Sequence, residues 1–393
     1  MRYAIRIGFL VGLATLTRPT DVLSFLIPLF WGIDSVTLTA FRNRIRLFRQ
    51  QIPKMTLALV MAMAVYSIQL FYWKYVSGHW FVYSYGGQGF NFLHPYFIEY
   101  TFSYKSGWLM YCPTMVLAFI GIPFFFKNGR NKLAILSFFF LNYYVVCTWD
   151  IWSYGGRAMI QSFPVLFFPI ATLTEFIFAQ RWLIYLYSTL VAFFVYFNTW
   201  TMVQYHGGGL YDVDNMTRNY YWRVVGRWHV PEETIFLRDE TELFEGVMKN
   251  KRVVYSNDFS ELTDTQRHND SASKHSYLLL TKDRQNSKVY KFGFSGPAQW
   301  LRIEADFRSE NKTDDDWKMA QFIVRLMKDN VEKELKLNVL RVNRSLRDGK
   351  TKRLFIDVRL PKEHFDFVEI IFWNGGSDQD LYVSNLKAWQ FDE

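Results

Sequence analysis

Hydrophobic and polar positions follow two different rhythms along this chain. Before residue 205 the apolar positions come in long blocks, roughly 3–37, 55–76, 108–126, 133–149, 158–178 and 182–203. All but the first have the length of a single membrane span, about 20 residues. The first block is too long for one helix and is interrupted by Thr17-Arg18-Pro19-Thr20-Asp21. Proline removes a backbone donor and charge is costly in lipid, so the spacing predicts two short helices joined by a turn. The fold class expected for this half is a polytopic α-helical membrane bundle with about seven membrane segments.

After residue 205 the period changes. Gly207-Gly208-Gly209 marks the exit from the last block, and 210–290 is mixed polar sequence with one amphipathic helix expected over 232–249. From Tyr290 onward alternation of period two dominates: Leu301, Ile303, Ala305 and Phe307 alternate with Arg302, Glu304 and Asp306. Similar patterns fill 334–342, 353–360, 367–373 and 381–391, with polar turns such as Asp348-Gly349 and Asn374-Gly375-Gly376. Short strands with such turns predict a small β-sandwich. The expected domains are a transmembrane helical domain at 1–204, a connecting region with helix and loops at 205–289, and a soluble α+β or β-sandwich-like extracytoplasmic domain at 290–393.

Charge adds an orientation. Residues 1–204 carry 15 Lys and Arg against 5 Asp and Glu, a net of +10, whereas 205–393 carry 30 against 31, a net of −1. The basic pI therefore belongs to the membrane half, where positive charges between apolar blocks act as topology signals, and no nucleic-acid partner is expected. Eleven of those charges, from Arg2, Arg6, the 42–54 stretch, Lys127, Arg130, Lys132 and Arg181, fall on one side, against Arg18, Lys74, Lys105 and Arg157 on the other. Positive loops stay cytoplasmic, so the chain is expected to be a multi-pass protein of a bacterial cytoplasmic (inner) membrane with its C-terminal domain outside. Met1 to Asp21 shows no small-residue cleavage site, and its first helix is short for a full span, which suggests that the chain opens after the beginning of a larger bundle. Cys112 and Cys147 both lie inside apolar blocks, so neither a disulfide framework nor a cysteine-rich metal site is expected.

Ionisable groups at membrane depth are functional candidates, because burial in lipid costs a few kcal/mol unless a partner or wet cavity receives them. Four external features qualify: Arg18 with Asp21, the 94–105 stretch with His94, Glu99 and Lys105, Asp150, and Arg157 in Tyr154-Gly155-Gly156-Arg157. A guanidinium at a helix end suits bidentate grip of a phosphate, and a lipid-phosphate headgroup is the natural ligand. The alternative is that Arg18 pairs with Asp21 and Arg157 snorkels to the interface. The long aromatic loop 77–105 fits sugar stacking and interfacial packing equally, and His94 reads as a hydrogen-bonded structural residue. Asp21, Glu99 and Asp150 are the carboxylates placed to serve an acceptor hydroxyl, but none stands in an acidic pair and no base is assigned.

Taken in order, Gly12-Leu13-Ala14-Thr15-Leu16-Thr17-Arg18-Pro19-Thr20, Tyr85-Gly86-Gly87-Gln88-Gly89-Phe90, Phe102-Ser103-Tyr104-Lys105-Ser106-Gly107-Trp108 and Tyr154-Gly155-Gly156-Arg157 followed by Pro164 resemble bacterial polytopic glycosyltransferases of the GT-C superfamily, the group related to protein mannosyltransferases and lipid A aminoarabinose transferases. The resemblance covers about 1–204, as their C-terminal membrane half. It implies transfer of a sugar from a polyprenyl-phosphate donor to a glycan or protein acceptor, with Arg18, Lys105 and Arg157 as phosphate or substrate contacts. In that family an acidic residue of the first external loop acts as base and often helps bind a divalent metal. This chain has no such loop, so no catalytic carboxylate is carried over, and activity is expected only if that missing half is supplied. A second reading from a different class is a non-catalytic membrane-anchored carbohydrate-binding or assembly subunit working through its sandwich. There, Trp300, Trp373 and Trp389 are either sugar platforms or core, and Asp314-Asp315-Asp316 is either a calcium contact or a solvated turn.

Overall fold

A computed structural model describes the chain except residues 34–36, 84–87, 106, 150–153, 208–209, 212–214, 240–241, 262–266, 270–275, 294–297, 314 and 329–332. It divides into two compact units, Met1–His206 and Gly207–Glu393.

The first unit is helical. Helix α1, Arg2–Thr17, ends because Arg18 precedes Pro19, whose ring disfavours helical dihedrals in the residue before it; Arg18 is extended at φ −149° and ψ 119°. A 3-10 stretch, Pro19–Phe25, runs into α2, Leu26–Phe30. Helix α3, Leu38–Ser77, has 40 residues, about 60 Å at 1.5 Å per residue. The Thr37 side chain caps its start by accepting from the Ala40 amide at 3.2 Å, and left-handed Gly78 ends it. Gly8 of α1 faces Ala58 of α3 and Gly12 faces Ala62 and Val65, so the two helices run in the same direction. A Cβ on Gly8 would stand 2.1 Å from the Ala58 carbonyl oxygen, which is why the backbones meet only through small residues.

Short helices α4, Phe97–Phe102, and α5, Trp108–Tyr111, precede a 3-10 turn at Pro113–Met115 and then α6, Val116–Asn128. Helix α7, Lys132–Cys147, is followed by a 3-10 stretch, Tyr154–Ser162, that leads into α8, Phe163–Phe178, and by α9, Arg181–His206. Tyr100, Trp108, Phe125, Phe138 and Phe139 form the aromatic centre of this unit's core.

Seven membrane segments overstate what is present. Among the described residues three helices are long and apolar enough to cross a membrane, Leu38–Ser77, Gly156–Phe178 and Arg181–His206. The apolar blocks exist, but backbone breaks divide them. Pro113 splits the 108–126 block into α5, a 3-10 turn and α6, while α1 and α7 have 16 residues each, about 24 Å against a hydrocarbon core of about 30 Å.

The second unit is a two-sheet antiparallel sandwich preceded by α10, Arg218–Val224, which the Thr217 side chain caps. Its strands are β1 (Lys249–Asn257), β2 (Arg267–Asn269), β3 (Ser276–Leu280), β4 (Tyr290–Gly293), β5 (Trp300–Ser309), β6 (Gln321–Lys328), β7 (Lys333–Arg341), β8 (Lys352–Arg359), β9 (Phe367–Trp373) and β10 (Leu381–Asp392). One sheet runs β2-β3-β10-β5-β8 with β1 also paired to β10, and the other runs β4-β9-β6-β7. Between them Phe307, Phe322 and Phe372 pack with ring centroids 5.3–5.8 Å apart. The alternation at 301–307 places Leu301, Ile303, Ala305 and Phe307 inward, all at 0% exposure. The amphipathic helix expected over 232–249 does not occur among the described residues of that range. A 3-10 stretch, Glu232–Arg238, is followed by an irregular strap and then β1, because the strap's side chains are drawn to the sandwich. Glu242 pairs with Lys336 at 2.6 Å, the Phe244 amide donates to Asp357 at 3.0 Å, and the Phe244 ring packs on Phe391.

Candidate functional site

Polar side chains inside the helical unit are few, and several of them meet. Extended Arg18 sends its Nη1 across 140 positions of sequence to the Ala158 carbonyl at 3.0 Å and to Gln161 Oε1 at 3.2 Å. Gln161 Nε2 donates to Asn142 Oδ1 at 3.0 Å, and Asn142 Nδ2 donates to Ser162 Oγ at 2.8 Å. Asn142 lies at 0% exposure in an apolar helix, where an unpaired amide is costly, so each of its polar atoms takes a partner. The Nε and Nη2 atoms of Arg18 make no hydrogen bond among the described residues. That edge is the fork that binds carboxylate or phosphate oxygens two at a time.

The 147–162 stretch gathers the other motifs too. Gly156 has φ +63°, and a Cβ there would stand 2.6 Å from Trp108 Cβ, so the glycine is required both by its dihedral and by the indole against it. Phe90 packs at a tilt against Trp149, ring centroids 4.6 Å apart, the Asn91 amide donates to the Thr148 carbonyl at 2.7 Å, and the Tyr96 amide to the Cys147 carbonyl at 2.7 Å. Arg157, exposed, is the neighbour of Ala158, whose carbonyl Arg18 holds.

Four polar atoms in the same unit are buried without a hydrogen-bond partner among the described residues: Asp21 Oδ1, Ser24 Oγ, Tyr100 OH and Trp108 Nε1. Leu23, Leu26 and Ile27, flanking Asp21 and Ser24, pack on the core cluster that contains Tyr100 and Trp108. Orphaned polar atoms this numerous need water or a ligand to satisfy them.

The remaining candidates separate. Lys105 is exposed in the turn between α4 and α5, Glu99 is exposed on α4, and His94 is exposed with its amide held by Asn91 Oδ1 at 3.1 Å. Asp150, with Tyr85, Gly86, Gly87 and Ser106 of the motifs, lies outside the described residues. No group of three or more His, Cys, Asp or Glu that would hold a metal occurs among the described residues. Sequence reasoning missed Asn142, Gln161 and Ser162. An asparagine within Phe138-Phe139-Phe140-Leu141-Asn142 was the available signal, since a polar residue inside an apolar helix needs a buried partner.

In the sandwich, Trp300 is buried at 7% exposure with its Nε1 on Glu393, while Trp373 and Trp389 are half-buried, the latter under Lys251 at 4.1 Å. Trp317 is 82% exposed beside Asp315, which caps its amide at 3.1 Å; Asp316 binds Arg344 at 2.9 Å, and Asp314 lies outside the described residues. Burial pushes the Asp306 carboxyl up, but hydrogen bonds from Arg353 and Asn385, with the charges of Arg353 and Lys387, outweigh it and hold the group below the usual carboxylate range.

No protein-family model and no curated protein matches the chain. Among solved structures, a family 16 carbohydrate-binding module is similar at 17% identity and a TM-score of 0.21, over 29% of this chain and 76% of its own. The CBM22-1 xylan-binding domain of Paenibacillus barcinonensis Xyn10C is similar at 8% identity and a TM-score of 0.24, over 37% of this chain and 99% of its own. A third structure, named for CBM4, is similar at 9% identity and a TM-score of 0.22, over 36% of this chain and 79% of its own. At these TM-scores no residue here takes a role from theirs.

Proposed function

We propose that the chain works in membrane glycosyl transfer of the kind carried out by the GT-C superfamily, handling a polyprenyl-phosphate-linked sugar at the outer face of a bacterial cytoplasmic membrane. The carrying observation is the Arg18 guanidinium, fixed through Nη1 on Ala158 and Gln161 with its Nε–Nη2 edge left to an outside acceptor. A phosphate on that edge gains two charge-assisted hydrogen bonds from a group already oriented, and Arg157, next to Ala158, adds positive charge on the same stretch. The orphaned oxygens and nitrogens of Asp21, Ser24, Tyr100 and Trp108 suit sugar hydroxyls, which both donate and accept. The acceptor is a glycan or protein, and no catalytic carboxylate is assigned among this chain's residues.

A labelled-sugar transfer assay in membranes holding this chain, with Arg18→Ala and Arg157→Ala beside it, tests the reading. Donor retention is measured in parallel on purified protein. Loss of the Arg18 contact is expected to weaken donor binding by about 1.5–3 kcal/mol, on the order of ten- to a hundredfold. Donor retention indifferent to Arg18 would remove the proposal.

Trp317 supports a second reading, a non-catalytic carbohydrate-binding or assembly subunit, since an indole at 82% exposure is a ready stacking platform for a sugar face. Glycan retention abolished by Trp317→Ala, with no donor retention at Arg18, would favour it.

A further inference from the structure

We propose that the groove where the start of α1 meets α2 and the first half of α3 binds an anionic phospholipid of the surrounding bilayer. The groove measures about 700 Å³, inside the range of roughly 300–1,000 Å³ typical of small-ligand sites. Tyr3 and Ile7 of α1, Pro28 of α2 and Leu59 of α3 supply apolar walls, and Arg49 and Lys54 stand on its lining. Ile45, Ile52, Met55 and Leu59 are 41–56% accessible along the same helix if Leu47 is included, a continuous apolar strip that nothing in the unit covers among the described residues.

Charge selects the occupant. From Arg42 to Lys54 α3 carries five basic residues and no acidic one. Arg44 is committed to the unit, donating to the Pro28 and Leu29 carbonyls at 2.6 and 2.9 Å and so closing the end of α2. Arg49 and Lys54 are exposed and have no hydrogen bond or ion pair among the described residues. A soluble anion has no use for the apolar walls, and a zwitterionic lipid brings no net charge to the two cations. A phospholipid with a net negative headgroup satisfies both, its phosphate on Arg49 and Lys54 and an acyl chain along Ile7 and Leu59. The site is separate from the sugar-phosphate site: Ala4, on the groove, and Arg18 are fourteen positions apart, about 20 Å along a helix axis.

Full-length protein in nanodiscs of phosphatidylglycerol and phosphatidylcholine at one to four, released for native mass spectrometry, gives the test. Phosphatidylglycerol is expected in most of the lipid adducts, about three- to fourfold over its one-fifth share of the bilayer. Arg49→Gln with Lys54→Gln brings them down to that share, and Ile7→Trp, which fills the groove and keeps both charges, does the same. Leu59→Trp repeats the filling should Ile7→Trp lower the melting temperature. Arg42→Gln, which removes a charge from the same helix off the groove, leaves the adducts unchanged. Adducts of the two lipids in the one-to-four ratio of the bilayer would overturn the proposal. So would enrichment that survives both groove-filling variants, which means surface attraction only, or displacement of phosphatidylglycerol by equimolar polyprenyl phosphate, which means a different occupant. None of these outcomes touches donor retention at Arg18, so the two readings fail separately.

Discussion

The two units handle buried polarity in opposite ways. In the sandwich, charge meets charge. Arg302 grips Asp357 with two hydrogen bonds at 2.6 and 2.7 Å, the aspartate at 0% exposure, and buried Asp239 takes both the amide and the guanidinium of Arg341. In the helical unit the buried contacts are mostly between neutral amides and hydroxyls, with the Arg18 guanidinium held by one nitrogen, that of Arg44 by two, and four polar atoms without a hydrogen bond among the described residues. Buried atoms without a hydrogen bond occur in both units, Tyr290 OH, Asn374 Oδ1 and Trp389 Nε1 among them in the sandwich, so the contrast lies in the kind of pairing: ion pairs in one unit, neutral amides and hydroxyls in the other.

Phe372→Ala, at the centre of the sandwich, sets the scale of a fold-breaking change, with an expected loss of about 3–5 kcal/mol in denaturant titration of the full chain followed by tryptophan fluorescence. Asp357→Ala belongs in the same range, about 3–5 kcal/mol, because it leaves the Arg302 guanidinium, part-buried over the Phe355 ring, without its carboxylate. A loss under 1 kcal/mol there would mean that the pair does not hold the sheet, and the contrast between the units would collapse. Gly8→Leu forces a side chain into the Ala58 backbone and is expected to cost about 1–3 kcal/mol or more, read as a lowered melting temperature in detergent. Arg18→Gln makes the opposite kind of change. It should reduce donor retention on the order of tenfold while moving the melting temperature little, since hydrogen bonds of this sort contribute about 1 kcal/mol to the fold.

The smallest effect is a pH dependence. Asp306 titrates low in the folded chain, so it contributes stability above its unfolded pKa, and that stability is lost as pH falls through the depressed folded value. Arg353→Gln removes the leading favourable partner, and because that pair is partly exposed the change should cost under about 1 kcal/mol at pH 7. The variant and the parent should converge in stability as the pH approaches the depressed range. A difference that persists unchanged in acid would assign the effect to lost packing.

Strands were more legible than helices in this chain, for a physical reason. A period of two leaves little freedom, so 367–373 and 381–391 appear nearly unchanged as β9 and β10. β1, β2, β3 and β6 escaped notice. The β1 strand is mostly exposed, so nothing required alternation of it, and Ile323 with Met327 puts apolar residues on the outward face of β6 and blurs its alternation. Apolar blocks revealed where helices lie but not where they break, since Pro113 and the 3-10 turn beside it act on the backbone, which hydropathy does not record. The same blindness hid the network at Asn142. One asparagine in a run of phenylalanines signals a buried partner without saying which of many distant residues it is, and Gln161 becomes visible only when Arg18, turned outward by Pro19, reaches it.

The same-direction contact of α1 with α3 also sets an order of events during synthesis. Gly8 is made 50 positions before Ala58, which at roughly 5–20 residues per second is an interval of about 3–10 s. Through those seconds the earlier helix has only the turn that follows it for company. Its lasting partner is still being translated, so whatever machinery accepts the nascent chain must hold a short glycine-bearing helix in waiting until the small residues of the later one arrive.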